Sequence, residues 1–268
     1  MTGAFDKGII KRAFSKAAAT YDSHSGLQGE TAREVSALLP LEPGVILDAG
    51  CGTGGVMEYV KALSPSAQVY GFDIARAMLG IAGGKPALKG ARLACADCES
   101  LPFKDSSFDA VVSNMAYQWV EYPEGAFGEA WRVLRPGGVF IFSTLGPGTF
   151  IELRRSIEEA ERLTGRNGLP RLMDFADAEE LLKALEAAGF GGIKMEERKR
   201  ERRYNDLREL LRTLKFIGAV NPSSGGKNTL SRGSTLKETS KIYLTAFPYP
   251  EGGIRATYDV ILATAYKT

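Results

Sequence analysis

The stretch Ile46–Gly55 constrains the fold of this 268-residue chain more than any other. It reads Ile-Leu-Asp-Ala-Gly-Cys-Gly-Thr-Gly-Gly, so a short apolar run leads directly into a glycine-rich turn that contains Asp48. Glycine lacks a Cβ atom and tolerates positive φ, so the backbone of such a turn can approach a ligand closely. Because a helical pattern follows from Gly55, the stretch predicts a strand, a ligand-binding turn and a helix.

The residues of this turn also indicate the kind of ligand. Backbone N–H groups at the start of the next helix, from Thr53 to Met57, would face it. The acidic Asp48 beside them disfavours a phosphate and favours a group that donates hydrogen bonds, such as the amino group of an amino acid. The spacing also differs from the G-x-G-x-x-G pattern that suits a pyrophosphate. We therefore expect S-adenosylmethionine (SAM) rather than a nucleotide; the alternative is a tight turn without a ligand.

Strand and helix patterns alternate from residue 45 to residue 144. Apolar runs predict strands at Val45–Ala49, Gln68–Phe72, Ala91–Ala94, Phe108–Ser113 and Val139–Thr144. Helical patterns lie at Gly55–Leu63, Ala75–Ala82 and Gly125–Leu134, and the last is followed by the turn signal Arg135–Gly138. Such alternation predicts an α/β, doubly wound, mostly parallel sheet with helices on both faces. Ligands of these sheets bind at the carboxyl ends of the strands.

The rest of the chain predicts mainly helices. Helical patterns cover residues 7–40, Phe150–Leu163, Asp177–Ala188, Asp206–Phe216 and Leu236–Tyr243. Residues 192–204 and Ala256–Tyr266 predict two further strands, the last one antiparallel, and Asn221–Lys227 predicts a loop. We expect a single domain over residues 1–268, made of an N-terminal helical lid (1–40), a SAM-binding core (41–145), helical cap insertions (149–170 and 205–247) and a final strand (256–266).

Composition narrows the functional classes. The chain is 44% hydrophobic and 25% charged, with a net charge of +2, so it is an ordinary globular protein and not a polycation that coats nucleic acid. No run of 18 apolar residues occurs, and we expect a cytoplasmic protein. Cys95 and Cys98 have the spacing of half a zinc site, but a second cysteine pair is missing and His24 is distant, so we expect no metal.

Polar residues at the ends of the second and third predicted strands suit a nucleoside. Asp73 closes the second strand, where a carboxylate can accept hydrogen bonds from both ribose hydroxyls. It could instead cap the helix that begins near Ala75, and both roles are compatible. Ile74 and Met78 would then flank the adenine. After the third strand, Asp97 can accept from the adenine amino group with Cys98 beside the ring, although an isolated aspartate there is typical of a turn.

The fourth strand is followed by Ser-Asn-Met-Ala-Tyr-Gln-Trp at residues 113–119. Asn114 is expected beside the sulfur end of the cofactor, and Gln118 and Trp119 would face the acceptor. A sulfonium is attracted to aromatic faces. The alternative for Trp119 is an aromatic of the core or lid.

These four elements, in this order, resemble the class I SAM-dependent methyltransferases over roughly residues 40–145. The resemblance implies a seven-stranded, Rossmann-like sheet. It also assigns cofactor binding to the residues already discussed: Asp48, Gly50, Cys51, Gly52, Asp73, Ile74, Met78, Asp97, Cys98 and Asn114.

The flanking segments are similar to those of the malonyl-[acyl-carrier protein] O-methyltransferases, enzymes that start pimelate synthesis for biotin. The similar segments are Arg12–Gln28, the N-x-A-x-Q-W motif of residues 114–119, and Thr213–Ala219 in the expected cap. This resemblance spans nearly the whole chain. It implies transfer of a methyl group from SAM to the free carboxylate of a malonyl group on an acyl carrier protein, which is an acidic partner.

That reaction is consistent with a chain that contains one histidine. A carboxylate is already ionised at pH 7, so its methylation needs alignment and removal of water but no general base. We expect Tyr21 and Arg154 to hold the carboxylate, beside Gln118 and Trp119. For Tyr21 the alternative is packing in the lid, and for Arg154 it is an exposed helix face. A basic rim is also expected, either on the N-terminal helix (Lys7, Lys11, Arg12 and Lys16) or at residues 194–203, where charge could instead protect an edge strand.

Three other functions compete with this interpretation. A C-methyltransferase of a quinone or another small lipid has nearly the same core motifs and predicts an apolar cap pocket. A non-catalytic SAM-binding protein is disfavoured because Asp48, Asp73, Asp97 and Asn114 are all present. A nucleic-acid methyltransferase is disfavoured by the small net charge and because Met-Ala-Tyr follows Asn114, which gives no N-P-P-Y-type tetrad.

Overall fold

The computed structural model describes residues 6–24, 26–40, 44–120, 122–165, 172–216 and 229–268. Its strands are β1 (Val45–Ala49), β2 (Gln68–Asp73), β3 (Arg92–Cys95), β4 (Phe108–Asn114), β5 (Leu134–Leu145), β6 (Phe190–Tyr204) and β7 (Ile254–Lys267). Its helices are α1 (Lys7–Ala17), α2 (Tyr21–His24), α3 (Gly26–Ala37), α4 (Gly55–Leu63), α5 (Arg76–Gly84), α6 (Pro123–Val133), α7 (Ile151–Thr164), α8 (Ala178–Ala187), α9 (Leu207–Phe216) and α10 (Thr229–Ala246).

The seven strands form one sheet in the order β3-β2-β1-β4-β5-β7-β6. β1 pairs in parallel with both β2 and β4, β2 with β3, and β4 with β5. The predicted doubly wound, mostly parallel α/β sheet is therefore confirmed. Chain order reverses between β1 and β4, and the crevice at such a switch point is where these sheets bind ligands. The antiparallel direction of β7 stays a prediction.

The central strands are apolar on both faces because helices cover both. Ile46 and Leu47 of β1 are fully buried. Phe140 and Phe142 of β5 stack with ring centroids 4.9 Å apart, and Phe127 of α6 packs against both rings. Burial of these side chains contributes about 1.5–3 kcal/mol each to the free energy of unfolding. This core holds the carboxyl ends of the strands in fixed positions.

Two elements differ from the sequence-based prediction for identifiable reasons. β5 begins at Leu134, so the predicted turn Arg135–Gly138 lies inside the strand, where the register against β4 shifts between Phe108 and Ala110. α10 runs from Thr229 to Ala246, well beyond the predicted Leu236–Tyr243. Its buried positions include Thr235 and Thr239, so polar residues occupy a face that the search for apolar periodicity missed.

The chain divides into two compact units. The first contains residues 1–144, 176–197 and 261–268, and the second contains residues 145–175 and 198–260. The second unit includes the described parts of both expected cap insertions, and their placement over the ligand face stays a prediction. The expected loop Asn221–Lys227 and the end of the Thr213–Ala219 segment lie outside the described residues.

The second unit has a polar interior of its own. Glu152 is buried and accepts hydrogen bonds from the backbone and the hydroxyl of Thr257, at 3.1 and 2.5 Å. The hydroxyls of Tyr204 and Tyr258 lie 2.5 Å apart, and Asp259 accepts from the Gly148 backbone at 2.9 Å. These bonds join α7, the loop before it and the end of β6 to β7. Among the described residues, no helix is long and apolar enough to span a membrane.

Candidate cofactor site

The glycine-rich turn has the backbone conformation that its composition predicts. Gly50, Gly52 and Gly54 all have positive φ, at 71°, 52° and 87°. A Cβ atom added to Gly50 would lie 2.4 Å from the Cβ of Ala116, whereas one added to Gly52 would meet nothing within 4 Å. Gly50 is therefore required for packing, and Gly52 leaves open the space in front of the turn.

Asp73 ties this turn to the end of β2. Its carboxylate accepts a hydrogen bond from the Gly52 backbone at 2.9 Å and another from the Ala75 backbone at 2.7 Å. Burial raises the pKa of Asp73, and the two N–H groups oppose that shift. Because α5 begins only at Arg76, Asp73 closes the turn before the helix and also contacts the glycine turn. The N-cap residue of α5 is Ala75 and no side chain caps this helix, so the prediction that Asp73 caps it is wrong, whereas ligand binding by Asp73 stays a prediction.

One cavity lies at the carboxyl ends of β1, β2, β3 and β4, within the first unit. It measures about 810 Å³, counted with the solvent at its mouth. Eight of the ten residues predicted to bind the cofactor line it: Gly50, Gly52, Asp73, Ile74, Met78, Asp97, Cys98 and Asn114. Topology thus brings together residues that are 64 positions apart in sequence, in agreement with the expected convergence of strand ends.

The other two predicted residues, Asp48 and Cys51, do not line the cavity. Asp48 is 1% exposed, and neither of its carboxylate oxygens has a hydrogen-bond partner among the described residues. Burial and then the charge of Asp73 raise the pKa of Asp48, and the Met57 backbone N–H, whose geometry falls short of a hydrogen bond, opposes that shift. An unpaired buried carboxylate needs a donor, which a ligand or an ordered water can supply.

The Cys51 side chain packs on β2, since a Cβ at Gly71 would lie 2.9 Å from its Sγ. A role of the Cys51 backbone stays a prediction.

Asp97 has a cationic partner that sequence patterns missed. Lys7 of α1 donates to Asp97 Oδ2 at 2.6 Å and to Glu99 Oε2 at 2.5 Å. Burial raises the pKa of Asp97, but the hydrogen bonds from Lys7 and the Glu99 backbone, together with the charge of Lys7, outweigh it, and the net pKa is lowered. Burial, together with these carboxylates, raises the pKa of the Cys98 thiol to about 12. Asp97 is therefore an anionic acceptor, and Cys98 is a neutral thiol.

Asn114 is oriented by bonds on both sides of its amide. Its Nδ2 donates to the Gln28 backbone oxygen at 2.9 Å, and its Oδ1 accepts from the Ser143 hydroxyl at 2.7 Å.

Tyr117–Trp119 forms a 3-10 helix that places Trp119 in the cavity wall, edge-on to Phe14 with ring centroids 5.6 Å apart. Gln118 is not among the lining residues, so its predicted contact with an acceptor is untested.

The N-terminal helices form part of the cavity wall. Ile10, Phe14 and Tyr21 line it. Burial, then the charges of Asp73 and Asp22, raise the pKa of Tyr21, so its hydroxyl stays protonated. The sequence predicted an N-terminal helical lid and named Tyr21 as a candidate site residue. It carried no signal for the individual contacts, because these join residues far apart in the chain.

Arg154 lies in the second unit. Its guanidinium donates to Asp174 Oδ1 at 3.0 Å and also to the Met173 backbone oxygen. Its predicted role at the acceptor carboxylate therefore stays a prediction.

Within the described parts of the chain, no group of three or more histidine, cysteine, aspartate or glutamate side chains is arranged to hold a metal ion.

Comparison with known proteins defines the class. A sequence model described as a methyltransferase domain matches residues 47–142. Among solved structures, a methyltransferase from Bacillus halodurans C-125 aligns with a TM-score of 0.59 and 19% identity, over 90% of this chain and 99% of that one. Geranyl diphosphate methyltransferase in complex with SAM aligns with a TM-score of 0.53 and 15% identity, over 90% and 85%. The sequence model identifies a methyltransferase domain, and the solved structures show that the chain has the methyltransferase fold.

Similarity along the chain defines the family. The malonyl-[acyl-carrier protein] O-methyltransferase of Methylovorus sp. (strain MP688) is 35% identical over 98% of this chain and 89% of its own length. That of Geobacter sulfurreducens is 34% identical over 96% and 97%. The chain belongs to the malonyl-[acyl-carrier protein] O-methyltransferase family. It also matches the biotin biosynthesis bifunctional protein BioHC of Saccharophagus degradans at 36% identity, spanning 46% of that longer protein.

Proposed function

We propose that this chain methylates the free carboxylate of a malonyl group on an acyl carrier protein, giving the methyl ester that primes pimelate synthesis for biotin. The observation that carries the proposal is similarity to named family members along nearly the whole chain, beyond the shared methyltransferase core. The cavity at the strand ends supports it, because this cavity collects the polar residues that a SAM-binding site requires.

The cavity suits SAM in shape and charge. In this proposal Asp73 accepts from the ribose hydroxyls, Ile74 and Met78 flank the adenine, and Asp97 accepts from its amino group. Gly52 leaves room for the methionine end. The charged lining residues are Lys7, Asp73, Asp97 and Glu99, an excess of carboxylates that favours a cationic ligand. When bound, SAM supplies an electrophilic methyl group on its sulfonium.

The residues on the acceptor side have a positioning role in this proposal. A malonyl carboxylate is already ionised, so the protein must orient it and exclude water. Tyr21 keeps its proton and can donate a hydrogen bond to the carboxylate. Trp119 can shield the reacting atoms from solvent, while Gln118 and Arg154 are proposed as further contacts. No proton transfer to a side chain is required.

Replacing Tyr21 with phenylalanine is expected to lower kcat/KM for the acceptor by about tenfold, because one hydrogen bond to a charged group contributes about 1.5–3 kcal/mol, partly replaced by water. SAM affinity should change little. Initial rates with varied acceptor and calorimetric titration with SAM measure the two effects. Tyr266→Phe, at an exposed position on β7, is the matched control. An unchanged kcat/KM for Tyr21→Phe would assign Tyr21 to packing alone.

The acceptor is tested directly with three substrates. Methyl transfer from SAM should be fastest to malonyl-acyl carrier protein when that substrate is compared with malonyl-CoA and a quinone precursor. The product should be a base-labile methyl ester, whereas a C-methylated product resists base. Turnover of the quinone precursor alone would replace the proposed reaction with C-methylation.

The proposed partner is an acidic carrier protein, and α1 provides the basic surface that such a partner requires. Lys11, Arg12 and Lys16 are all exposed on this helix. On β6, by contrast, the exposed basic residues Lys194, Lys199 and Arg203 are interspersed with three exposed glutamates, Glu196, Glu197 and Glu201. Mixed charge of this kind fits the alternative of a protected edge strand better than a docking surface.

A further inference from the structure

The N-terminal segment, defined as residues 6–40, contacts the cofactor cavity at its adenine end. Lys7 bonds to both Asp97 and Glu99, at 2.6 and 2.5 Å. These carboxylates are 90 and 92 residues away in sequence and follow β3. Lys7 itself lines the cavity. This ion-pair cluster joins the first turn of α1 to the loop on which adenine is proposed to bind.

The same segment contacts the cavity at its other end. Asp22 accepts from the Thr53 hydroxyl at 2.5 Å, beside the glycine turn, and pairs with Lys85 at 3.0 Å. The Gln28 backbone oxygen accepts from Asn114 at 2.9 Å. Between these contacts, Tyr21 lines the cavity. The segment therefore touches both the adenine end and the acceptor end of one site.

The bonding of Asp97 leaves room for a ligand beside Lys7. Asp97 Oδ1 accepts from the Glu99 backbone at 3.1 Å and from the Cys98 thiol at 3.7 Å, and Oδ2 accepts from Lys7. An ionised carboxylate has about four lone-pair positions on its two oxygens. Asp97 can thus accept from an adenine amino group while it still binds Lys7. A bound adenine and the N-terminal segment then share one carboxylate.

We propose that Lys7 is a positioning residue that couples cofactor retention to closure of the N-terminal segment. Lys7 holds the Asp97 carboxylate in one orientation beside the proposed adenine site, and the same ion pairs hold α1 against the loop after β3. Cofactor exchange then requires these pairs to open. The inference rests on the proposed binding of adenine at Asp97, but it does not depend on the identity of the methyl acceptor.

The magnitude of the effect follows from the exposure of the pairs. The side chains of Lys7 and Asp97 are 35% and 31% exposed, so their attraction is partly screened. A partly exposed pair contributes only modestly, and this one involves two carboxylates. Loss of Lys7 should therefore speed cofactor dissociation by about three- to fivefold. Global stability should change little.

The test is a stopped-flow measurement of the dissociation of S-adenosylhomocysteine and SAM, without acceptor, followed by the fluorescence of Trp119 in the cavity wall. Lys7→Gln should dissociate both ligands three- to fivefold faster and raise KM for SAM with little change in kcat. Lys7→Arg should restore most of the wild-type rate. Added salt should speed dissociation from the wild type more than from Lys7→Gln, since screening weakens the pairs.

Two further variants keep the test decisive. Lys104→Gln removes an exposed lysine that has no ion pair among the described residues, and it should dissociate cofactor at the wild-type rate. Glu99→Gln removes one partner of Lys7 and should reproduce part of the Lys7→Gln effect. Unchanged dissociation in both Lys7→Gln and Glu99→Gln would overturn the proposal. Slower dissociation would also overturn it, because it would mean that Lys7 competes with adenine for Asp97.

Discussion

Replacement of Asp73 by alanine is expected to raise the dissociation constant for SAM by about 10- to 100-fold, more than any other single change at a carboxylate of this cavity. Its carboxylate binds the Gly52 and Ala75 backbones and is proposed to accept from the ribose. Each lost hydrogen bond to a charged group contributes about 1.5–3 kcal/mol, and every 1.4 kcal/mol is tenfold in affinity. Isothermal titration calorimetry with SAM measures the change.

Two controls separate ligand binding from folding. Asp73→Asn retains one acceptor oxygen and the size of the side chain, so its loss of affinity should be smaller. Asp105→Ala removes an exposed carboxylate at a distance from the cavity lining and should leave affinity unchanged. Thermal unfolding of each variant shows whether the fold is intact. Wild-type SAM affinity in a folded Asp73→Ala protein would restrict Asp73 to the turn before α5.

Substitution of Gly50 by alanine is expected to lower the free energy of unfolding by about 2–5 kcal/mol and to eliminate measurable SAM binding. The added Cβ would lie 2.4 Å from Ala116 Cβ, and the residue would keep a φ of 71°. A strained backbone conformation costs about 1–3 kcal/mol, and overpacking costs a similar amount. Because Gly50 lies at the end of β1 in the cavity wall, relief of the clash would displace the turn that binds the cofactor. Chemical denaturation and calorimetry with SAM measure the two losses.

Gly52→Ala is the matched control for that substitution. Gly52 also has positive φ, but an added Cβ meets nothing within 4 Å. It should therefore cost only about 1–2 kcal/mol of backbone strain. Its methyl group would enter the cavity that Gly52 lines, so SAM affinity should still fall. Equal destabilisation by the two substitutions would show that the contact with Ala116 is unimportant.

Much of the core could be predicted from local patterns. The helix α4 and the strand β1 have the predicted ends, and the other core strands differ mainly at their ends. Apolar runs define parallel strands because both faces of such strands are buried. Polar residues directly after a strand, such as Asp73 and Asn114, then converge because parallel strands end at the same edge of the sheet. Eight of the ten predicted cofactor residues line the cavity for this reason.

The remaining contacts had no local signal. Asp48 was predicted to bind the cofactor from its place before the glycine turn, but only the packed structure shows that both of its oxygens are buried and unpaired. The shielded face of α10 carries Thr235 and Thr239, so hydrophobic periodicity underestimated the length of this helix. Arg154, expected at the acceptor, pairs with Asp174 in the second unit. A sequence pattern shows which side chains are charged. The partner of each charged side chain depends instead on how the chain packs.

The sequence by itself determined the strand–turn–helix unit at Ile46–Gly55, the order of the core elements and the cofactor class, because φ preferences and apolar periodicity act over a few residues. The tertiary structure alone decided which residues close the cavity. Hydrogen bonds join Lys7 to Asp97, Asp22 to Thr53, and Gln28 to Asn114. The bonded residues are 31 to 90 positions apart in sequence. Such pairs form only after the chain has packed, since the free energy of each comes from distance and burial rather than from neighbouring residues in the chain.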